Sequence, residues 1–178
     1  MITLFFFIAM FIGLVLQHFA GAVPGFGSQI LLLPVIFLCG AAALPVWGML
    51  SLAFVAGLMW DSMHCVTIEG NTDFPFGGTI VLYAMIGSMM NGLRPLFLRG
   101  WWQIHAVATG VLTSVLVLVE YIIITFRREP FALIWPGEVW VRIGGSGLVA
   151  AVLSVPLFLF LTWAGRRAGI FNPGRSAI

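Results

Sequence analysis

The chain has 178 residues, of which 61% are hydrophobic, and its charge resides on eight arginine and six acidic residues. Soluble domains usually contain about 25% charged residues, whereas only 8% are charged here. This composition excludes a water-soluble globular protein. The formal net charge is +2, and no nucleic-acid partner is expected.

Long uncharged segments predict a helical membrane protein. The first charged residue is Asp61, and sixty residues of continuous helix would extend about 90 Å. A hydrocarbon core is about 30 Å thick, so this stretch holds about three crossings. Three further apolar segments follow it. We therefore predict one all-α polytopic membrane domain over residues 1–178, with six transmembrane helices at approximately 2–20, 27–43, 44–60, 74–93, 102–126 and 143–165.

The second predicted span is the least regular, because Pro34 lies inside it. A proline there is compatible with a complete span, a kinked helix or a re-entrant segment. Membranes allow the last two only where protein or water satisfies the freed backbone groups.

The connection over residues 61–76 is acidic and contains no arginine. Its potential ligands are of mixed types: Asp61, His64, Cys65, Glu69 and Asp73. Metal sites need three or four converging ligands, usually at a recognisable spacing. We interpret this segment as an ordinary solvated loop, and neither a metal nor another cofactor is expected.

Arginine distribution predicts the orientation, since cytoplasmic loops retain positive charge. With six spans and a cytoplasmic N-terminus, five arginines face the cytoplasm and three face outward, and the acidic segment 61–76 lies outside. Both termini are then cytoplasmic. Residues 127–142 mix aromatic and charged side chains, which favours a segment lying in the membrane interface.

Glu120 lies within the fifth predicted span. An intramembrane carboxylate is costly unless it is paired, protonated or facing a polar interior. An α-helix turns by 100° per residue, so Thr113 and Thr109 lie within about 20° of the helix face that carries Glu120. These three residues form one polar stripe, and His105 lies near the end of the stripe that is farther from Glu120. The stripe either contacts a partner helix or small polar ligand, or Glu120 extends to water and pairs with Arg127 or Arg142.

Small residues recur at helical spacing. Examples are Ala9 with Gly13, Ala53 with Gly57, Ala84 with Ser88 and Gly147 with Ala151. Such pairs allow close helix approach in lipid. Packing within the chain is favoured over a seam between two copies, so a homo-oligomer is the alternative. No nucleophile motif or phosphate-binding glycine pattern is present. No catalytic residue is expected, and the protein is not predicted to be an enzyme.

Two short motifs carry a family resemblance. Gly57 and Asp61 end the third predicted span, and Pro75 and Gly77 open the fourth. This pattern resembles the rod shape-determining protein MreD family, in which Gly and Asp at one helix end precede Pro-x-Gly at the next helix start. The interval between Asp61 and Pro75 is longer here than the usual short connection. Length and span number are also similar to that family.

The resemblance implies a six-helix fold similar to the substrate-binding subunits of energy-coupling-factor transporters. It also implies a location in the bacterial inner membrane, in contact with lipid. Its implied partners belong to the cell-elongation machinery: the bitopic protein MreC, the cytoskeletal MreB, the glycosyltransferase RodA and a transpeptidase.

Two functions follow as hypotheses. The first is a non-enzymatic scaffold that binds partner transmembrane proteins during peptidoglycan synthesis. The second is a small-molecule, vitamin-type binding subunit of a transporter, which needs a polar pocket at membrane depth. The candidate partner- or ligand-binding residues are Gly57, Asp61, Pro75, Gly77, Thr109, Thr113 and Glu120.

Overall fold

The computed structural model describes residues 2–20, 30–63, 66–68, 71–73, 77–98, 101–127 and 137–167. These ranges form seven helices and one two-stranded hairpin. In chain order they are α1 (Ile2–Ala20), α2 (Leu32–Ala43), α3 (Val46–Met63), β1 (Val66–Ile68), β2 (Asn71–Asp73), α4 (Gly78–Gly92), α5 (Arg94–Leu98), α6 (Trp102–Arg127) and α7 (Gly137–Arg167).

The prediction of a helical protein with membrane-length apolar helices is confirmed. Among the described residues, four helices are long and apolar enough to cross a membrane: Ile2–Ala20, Val46–Met63, Trp102–Ile123 and Gly137–Phe160. The other two predicted spans are also helical but shorter. Helix α2 has 12 residues and α4 has 15, which correspond to about 18 and 22 Å, against a core of about 30 Å.

Helix α2 is the centre of the structure. It contacts all six other described helices, α1, α3, α4, α5, α6 and α7. Nine of its twelve residues are buried. Pro34 lies in its first turn, where backbone N–H groups have no intrahelical acceptor. It therefore opens this helix and does not interrupt it.

Amide side chains from other helices bind backbone groups at both ends of α2. At its start, Gln17 of α1 accepts a hydrogen bond from the Leu33 backbone N–H at 3.1 Å. At its end, the Asn91 side chain of α4 donates to the carbonyl oxygens of Ala41 and Leu44, each at 2.8 Å. A short helix inside an apolar core needs such partners, because its terminal backbone groups have none within the helix.

Aromatic side chains join α2, α3 and α4. The Tyr83 ring packs edge-on against Phe37, with centroids 5.0 Å apart, and lies 6.2 Å from the ring of Trp60. All three residues are almost fully buried. Burial of such large rings makes this cluster a main source of packing energy between the three helices.

Close backbone approach holds α6 against α7. A Cβ atom on Gly147 would lie 2.7 Å from the Gly110 carbonyl oxygen, and one on Gly110 would lie 3.0 Å from the Ala151 Cβ. Similarly, a Cβ on Gly13 of α1 would overlap the Ile36 side chain of α2. These small residues lie at contacts within the chain, as favoured from sequence, whereas Ser88 is exposed.

Two element boundaries differ from the sequence predictions. Helix α7 begins at Gly137, although residues 127–142 were predicted to lie in the interface, and Glu138 occupies its first turn, where a negative charge favours the helix start. The predicted loop 61–76 contains a hairpin, in which Val66 pairs with Asp73 and Ile68 with Asn71. The β-branched triplet Val66–Ile68 favours such pairing.

Candidate functional site

The carboxylate of Asp61 meets the start of α4. Asp61 lies in the last turn of α3 and is 1% exposed. Its Oδ2 accepts a hydrogen bond from the Gly77 backbone N–H at 3.1 Å, and its Oδ1 accepts one from the Thr79 hydroxyl. The interpretation of residues 61–76 as a solvated loop is therefore wrong for Asp61, because tertiary packing buries this carboxylate.

Asp61 acts as a cap supplied by another helix. Gly77 precedes α4 with φ of 99°, a left-handed conformation that glycine adopts at little cost. Glycine has no side-chain oxygen of its own to cap the helix. The Asp61 carboxylate instead accepts from the backbone N–H of Gly77, the residue that precedes α4, and from the Thr79 hydroxyl in the first turn, and its negative charge is favourable at a helix N-terminus.

Gly57, one helical turn before Asp61 in α3, allows α3 and α4 to approach closely. A Cβ atom at Gly57 would lie 2.5 Å from Cα and 2.7 Å from N of Ile80, so no side chain fits there. The Gly57 carbonyl oxygen is also 3.2 Å from the Thr79 hydroxyl. Gly57, Asp61, Gly77 and Thr79 form one contact, which we name the α3–α4 junction.

The structure thus brings together three of the four residues that carry the family resemblance. The fourth, Pro75, lies outside the described residues. Sequence reasoning missed Thr79, although a threonine two positions after Gly77 is a plausible first-turn donor. The remaining acids and potential ligands of the loop, His64, Cys65 and Glu69, also lie outside the described residues.

The polar contacts of the α3–α4 junction join two helices. Both carboxylate oxygens of Asp61 accept hydrogen bonds from the chain itself. Within the described residues, no group of three or more His, Cys, Asp or Glu side chains is placed to hold a metal ion.

The predicted stripe on α6 lies apart from this junction along most of its length. Thr109 and Thr113 are fully buried and His105 is 3% exposed, whereas Glu120 is half-buried. Among the described residues, α6 contacts α4 but not α3. The side chain of Arg127, one predicted partner of Glu120, lies outside the described part.

His105, at the N-terminal end of the stripe on α6, contacts α2. Its Nε2 lies 3.2 Å from the Cys39 Sγ, and its ring packs against Phe158 of α7 with centroids 5.2 Å apart. The two residues are 66 positions apart, so no local sequence pattern relates them. This contact joins three helices in the core.

We expect Glu120→Gln to leave folding and membrane abundance nearly unchanged, because Glu120 is half-buried and glutamine keeps the side-chain size and one acceptor oxygen. The measurement is thermal unfolding of wild type and variant in the same detergent. A large loss would contradict this expectation. It would mean that the Glu120 carboxylate pairs with a buried group inside the bundle. Leaving such a group without its hydrogen-bond partner costs about 1–3 kcal/mol.

The described architecture defines the chain as an α-helical protein with four helices suited to crossing a membrane. Comparisons with protein families, with curated proteins and with solved structures found no match. The family resemblance therefore remains a prediction based on Gly57, Asp61, Pro75 and Gly77.

Proposed function

We propose that the protein is a non-enzymatic, MreD-like membrane scaffold of the bacterial cell-elongation machinery. In this proposal it lies in the inner membrane and binds the transmembrane segments of an MreC-like bitopic protein and other proteins of peptidoglycan synthesis. The observation that supports it most is the α3–α4 junction, where Gly57, Asp61 and Gly77 of the family-like motif make one contact.

The use of polar side chains also supports a scaffold over a ligand carrier. Gln17, Asp61 and Asn91 each bind backbone groups of another helix in this chain. A transporter subunit instead needs polar groups free to bind its substrate at membrane depth. Here these side chains fix helix positions, which is what a rigid platform for partner helices requires.

Outward surfaces of the proposed scaffold are apolar. Helix α1 exposes a continuous series of large hydrophobic side chains: Leu4, Phe5, Ile8, Phe11, Ile12, Val15, Leu16 and Phe19. Lipid tails and partner transmembrane helices are both compatible with such a surface. Because lipid is as apolar as leucine, a partner must add close packing or polar contacts to displace it.

The proposed fold has six membrane segments and is similar to the substrate-binding subunits of energy-coupling-factor transporters. Helices α1, α3, α6 and α7 are long and apolar enough to cross a membrane. In the proposed fold, the shorter helices α2 and α4 are the other two membrane segments. We expect both termini in the cytoplasm, because five of the eight arginines then lie on that side.

The orientation is measured with reporter fusions at Ile178 and within residues 61–76. A cytoplasm-active reporter should work at Ile178, and a periplasm-active reporter should work in the 61–76 segment. The reverse pattern, at equal fusion abundance, would contradict the proposed orientation.

The scaffold is tested by co-purification with an MreC-like bitopic protein expressed in the same membrane. We expect recovery with the wild type and a clear loss with Asp61→Ala. As a control, Ser88→Ala alters an exposed residue whose hydroxyl bonds only to its own helix and should retain recovery. Absence of recovery with folded wild-type protein would overturn the scaffold proposal.

The second candidate is a small-molecule binding subunit of a transporter. It is favoured by the hydroxyls of Thr109 and Thr113, which are buried and make no hydrogen bond within the described residues. Native mass spectrometry of protein purified from cells would separate the two functions. A stoichiometric small molecule of vitamin type, lost in Thr109→Val, would support the transporter subunit over the scaffold.

A further inference from the structure

The charged residues are distributed unequally along the chain. All acidic residues lie in or near two connections, the one between α3 and α4 and the one between α6 and α7: Asp61, Glu69, Asp73, Glu120, Glu129 and Glu138. The connection between α4 and α6 instead contains Arg94 and Arg99 and no acid. It follows the end of α4 that is opposite to the α3–α4 junction.

The described part of this arginine-containing connection is folded against the bundle. The Leu96 N–H donates to the Leu93 carbonyl at 3.0 Å, and the Trp101 N–H donates to the Leu96 carbonyl at 3.4 Å. Helix α5 contacts α2, α4 and α6. Arg94, the first residue of α5, and Trp101 therefore belong to one compact turn whose position is set by three helices.

Arg94 has no anionic partner within the described residues. Its Nε is buried and makes no hydrogen bond there, while the residue as a whole is partly exposed. The helices that α5 contacts carry one acid, Glu120, which lies about 27 Å along α6 from its start at Trp102. A guanidinium is always charged and has five N–H donors. Arg94 therefore offers these donors to an anion from outside the chain.

The exposed face of α4 indicates where that anion comes from. Val81, Met85 and Met89 are spaced four residues apart, so they lie on one side of the helix, and they are 60–63% exposed. Helix α4 has 15 residues, or about 22 Å, against a hydrocarbon core of about 30 Å. A bilayer beside such a short helix thins locally, which brings lipid headgroups toward the end of α4, where Arg94 lies.

Two tryptophans mark the same level of the membrane. Trp101 is 53% exposed and Trp102 is 43% exposed, and tryptophan is enriched where lipid headgroups meet the hydrocarbon. The phosphate is the anionic group of a phospholipid at this level. Arginine is suited to it, because its planar fork of N–H groups binds two phosphate oxygens at once.

We propose that Arg94, beside Trp101 and Trp102, binds the phosphate of an anionic phospholipid whose acyl chains lie along the exposed face of α4. A free phosphate ion offers the same contact to a guanidinium, but only a lipid also covers the apolar face that leads to Arg94. This site is separate from the α3–α4 junction. It does not depend on the scaffold function, because the ligand is a component of the membrane itself.

The test is native mass spectrometry of the purified full-length protein in a neutral detergent, titrated with phosphatidylglycerol or phosphatidylcholine of matched acyl chains. Both lipids contain a phosphate, but only phosphatidylglycerol has a net negative charge. We expect phosphatidylglycerol to bind about tenfold more tightly. Equal affinities would overturn the proposal. Excess inorganic phosphate should leave the lipid bound, and displacement of the lipid would show a site for free anions instead.

Arg94→Gln removes the guanidinium and should reduce the affinity for phosphatidylglycerol about tenfold. Arg142→Gln is the matched control, because it changes the net charge equally at an exposed residue of α7 and should keep the wild-type affinity. An unchanged affinity in Arg94→Gln would overturn the proposal. Equal losses in both variants would overturn it as well, since net charge alone would then attract the lipid.

Arg94→Lys is a milder variant for the case in which Arg94→Gln does not fold, which thermal unfolding in the same detergent reveals. Lysine keeps the positive charge and loses the planar fork of donors. We expect its affinity for phosphatidylglycerol to lie between those of wild type and Arg94→Gln, or below wild type where the latter does not fold. Binding as tight as in wild type would overturn the assignment to the guanidinium.

Discussion

Asp61→Ala should destabilise the protein by about 2–3 kcal/mol, the largest effect expected for any single charged residue described here. The substitution removes the acceptor of the Gly77 N–H and leaves that partly buried group without its partner at the start of α4. The Thr79 hydroxyl can still donate to the Gly57 carbonyl, which lies 3.2 Å away, so it keeps a hydrogen-bond acceptor. Thermal unfolding in detergent measures the loss.

The matched comparisons for this substitution are Asp61→Asn and Asp73→Ala. Asparagine keeps one carbonyl oxygen for the Gly77 N–H, so a smaller loss is expected. Asp73→Ala removes an acid from β2, outside the α3–α4 junction, and should disturb stability and recovery of an MreC-like partner less. Equal effects of Asp61→Ala and Asp73→Ala at matched abundance would refute the special role of Asp61.

Gly57→Ala should be comparably disruptive for a steric reason. The new Cβ would lie 2.5 Å from the Ile80 Cα, whereas ordinary contacts begin near 3.4 Å. Backbone atoms cannot rotate away, so α3 and α4 must separate, and overpacking of this kind costs about 1–3 kcal/mol. Separation also lengthens the contact between Asp61 and Gly77. Both thermal stability and partner recovery should therefore fall.

Gly48→Ala is the control for this effect, because it lies on the same helix. A Cβ there would lie 3.4 Å from its nearest neighbour, the Leu44 Cβ. Alanine also favours a helix over glycine by about 1 kcal/mol. We expect an unchanged or slightly raised Tm. If Gly48→Ala and Gly57→Ala lowered the Tm equally, the close approach at Ile80 would not be the cause.

Sequence reasoning predicted the features that depend on local composition. Long uncharged segments predicted the helices α1, α3, α6 and α7, since apolar length alone sets which segments suit a membrane. The family resemblance singled out three of the four residues of the α3–α4 junction, Gly57, Asp61 and Gly77, and did not include Thr79. The shared face of Thr109 and Thr113 also followed from helical periodicity, and both residues are buried.

Contacts between distant parts of the chain were not predictable in this way. Gln17 binds the start of α2, and Asn91, 50 residues after Ala41, binds its end. Cys39 and His105 are 66 residues apart. Each contact depends on how helices are arranged, which a single sequence does not encode locally. The burial of Asp61 was missed for the same reason, because an acid after an apolar segment usually marks a solvated loop.

The central position of α2 has a consequence for biogenesis. Its 12 residues are fewer than the roughly 20 that a membrane-spanning helix needs, so its place among the longer apolar helices depends on contacts with its neighbours. Helices α6 and α7, which contact α2, follow it in the chain and are synthesised after it. A nascent chain that has emerged only through α4 therefore lacks these contacts. We expect α2 to take its final position only once α6 and α7 have been made.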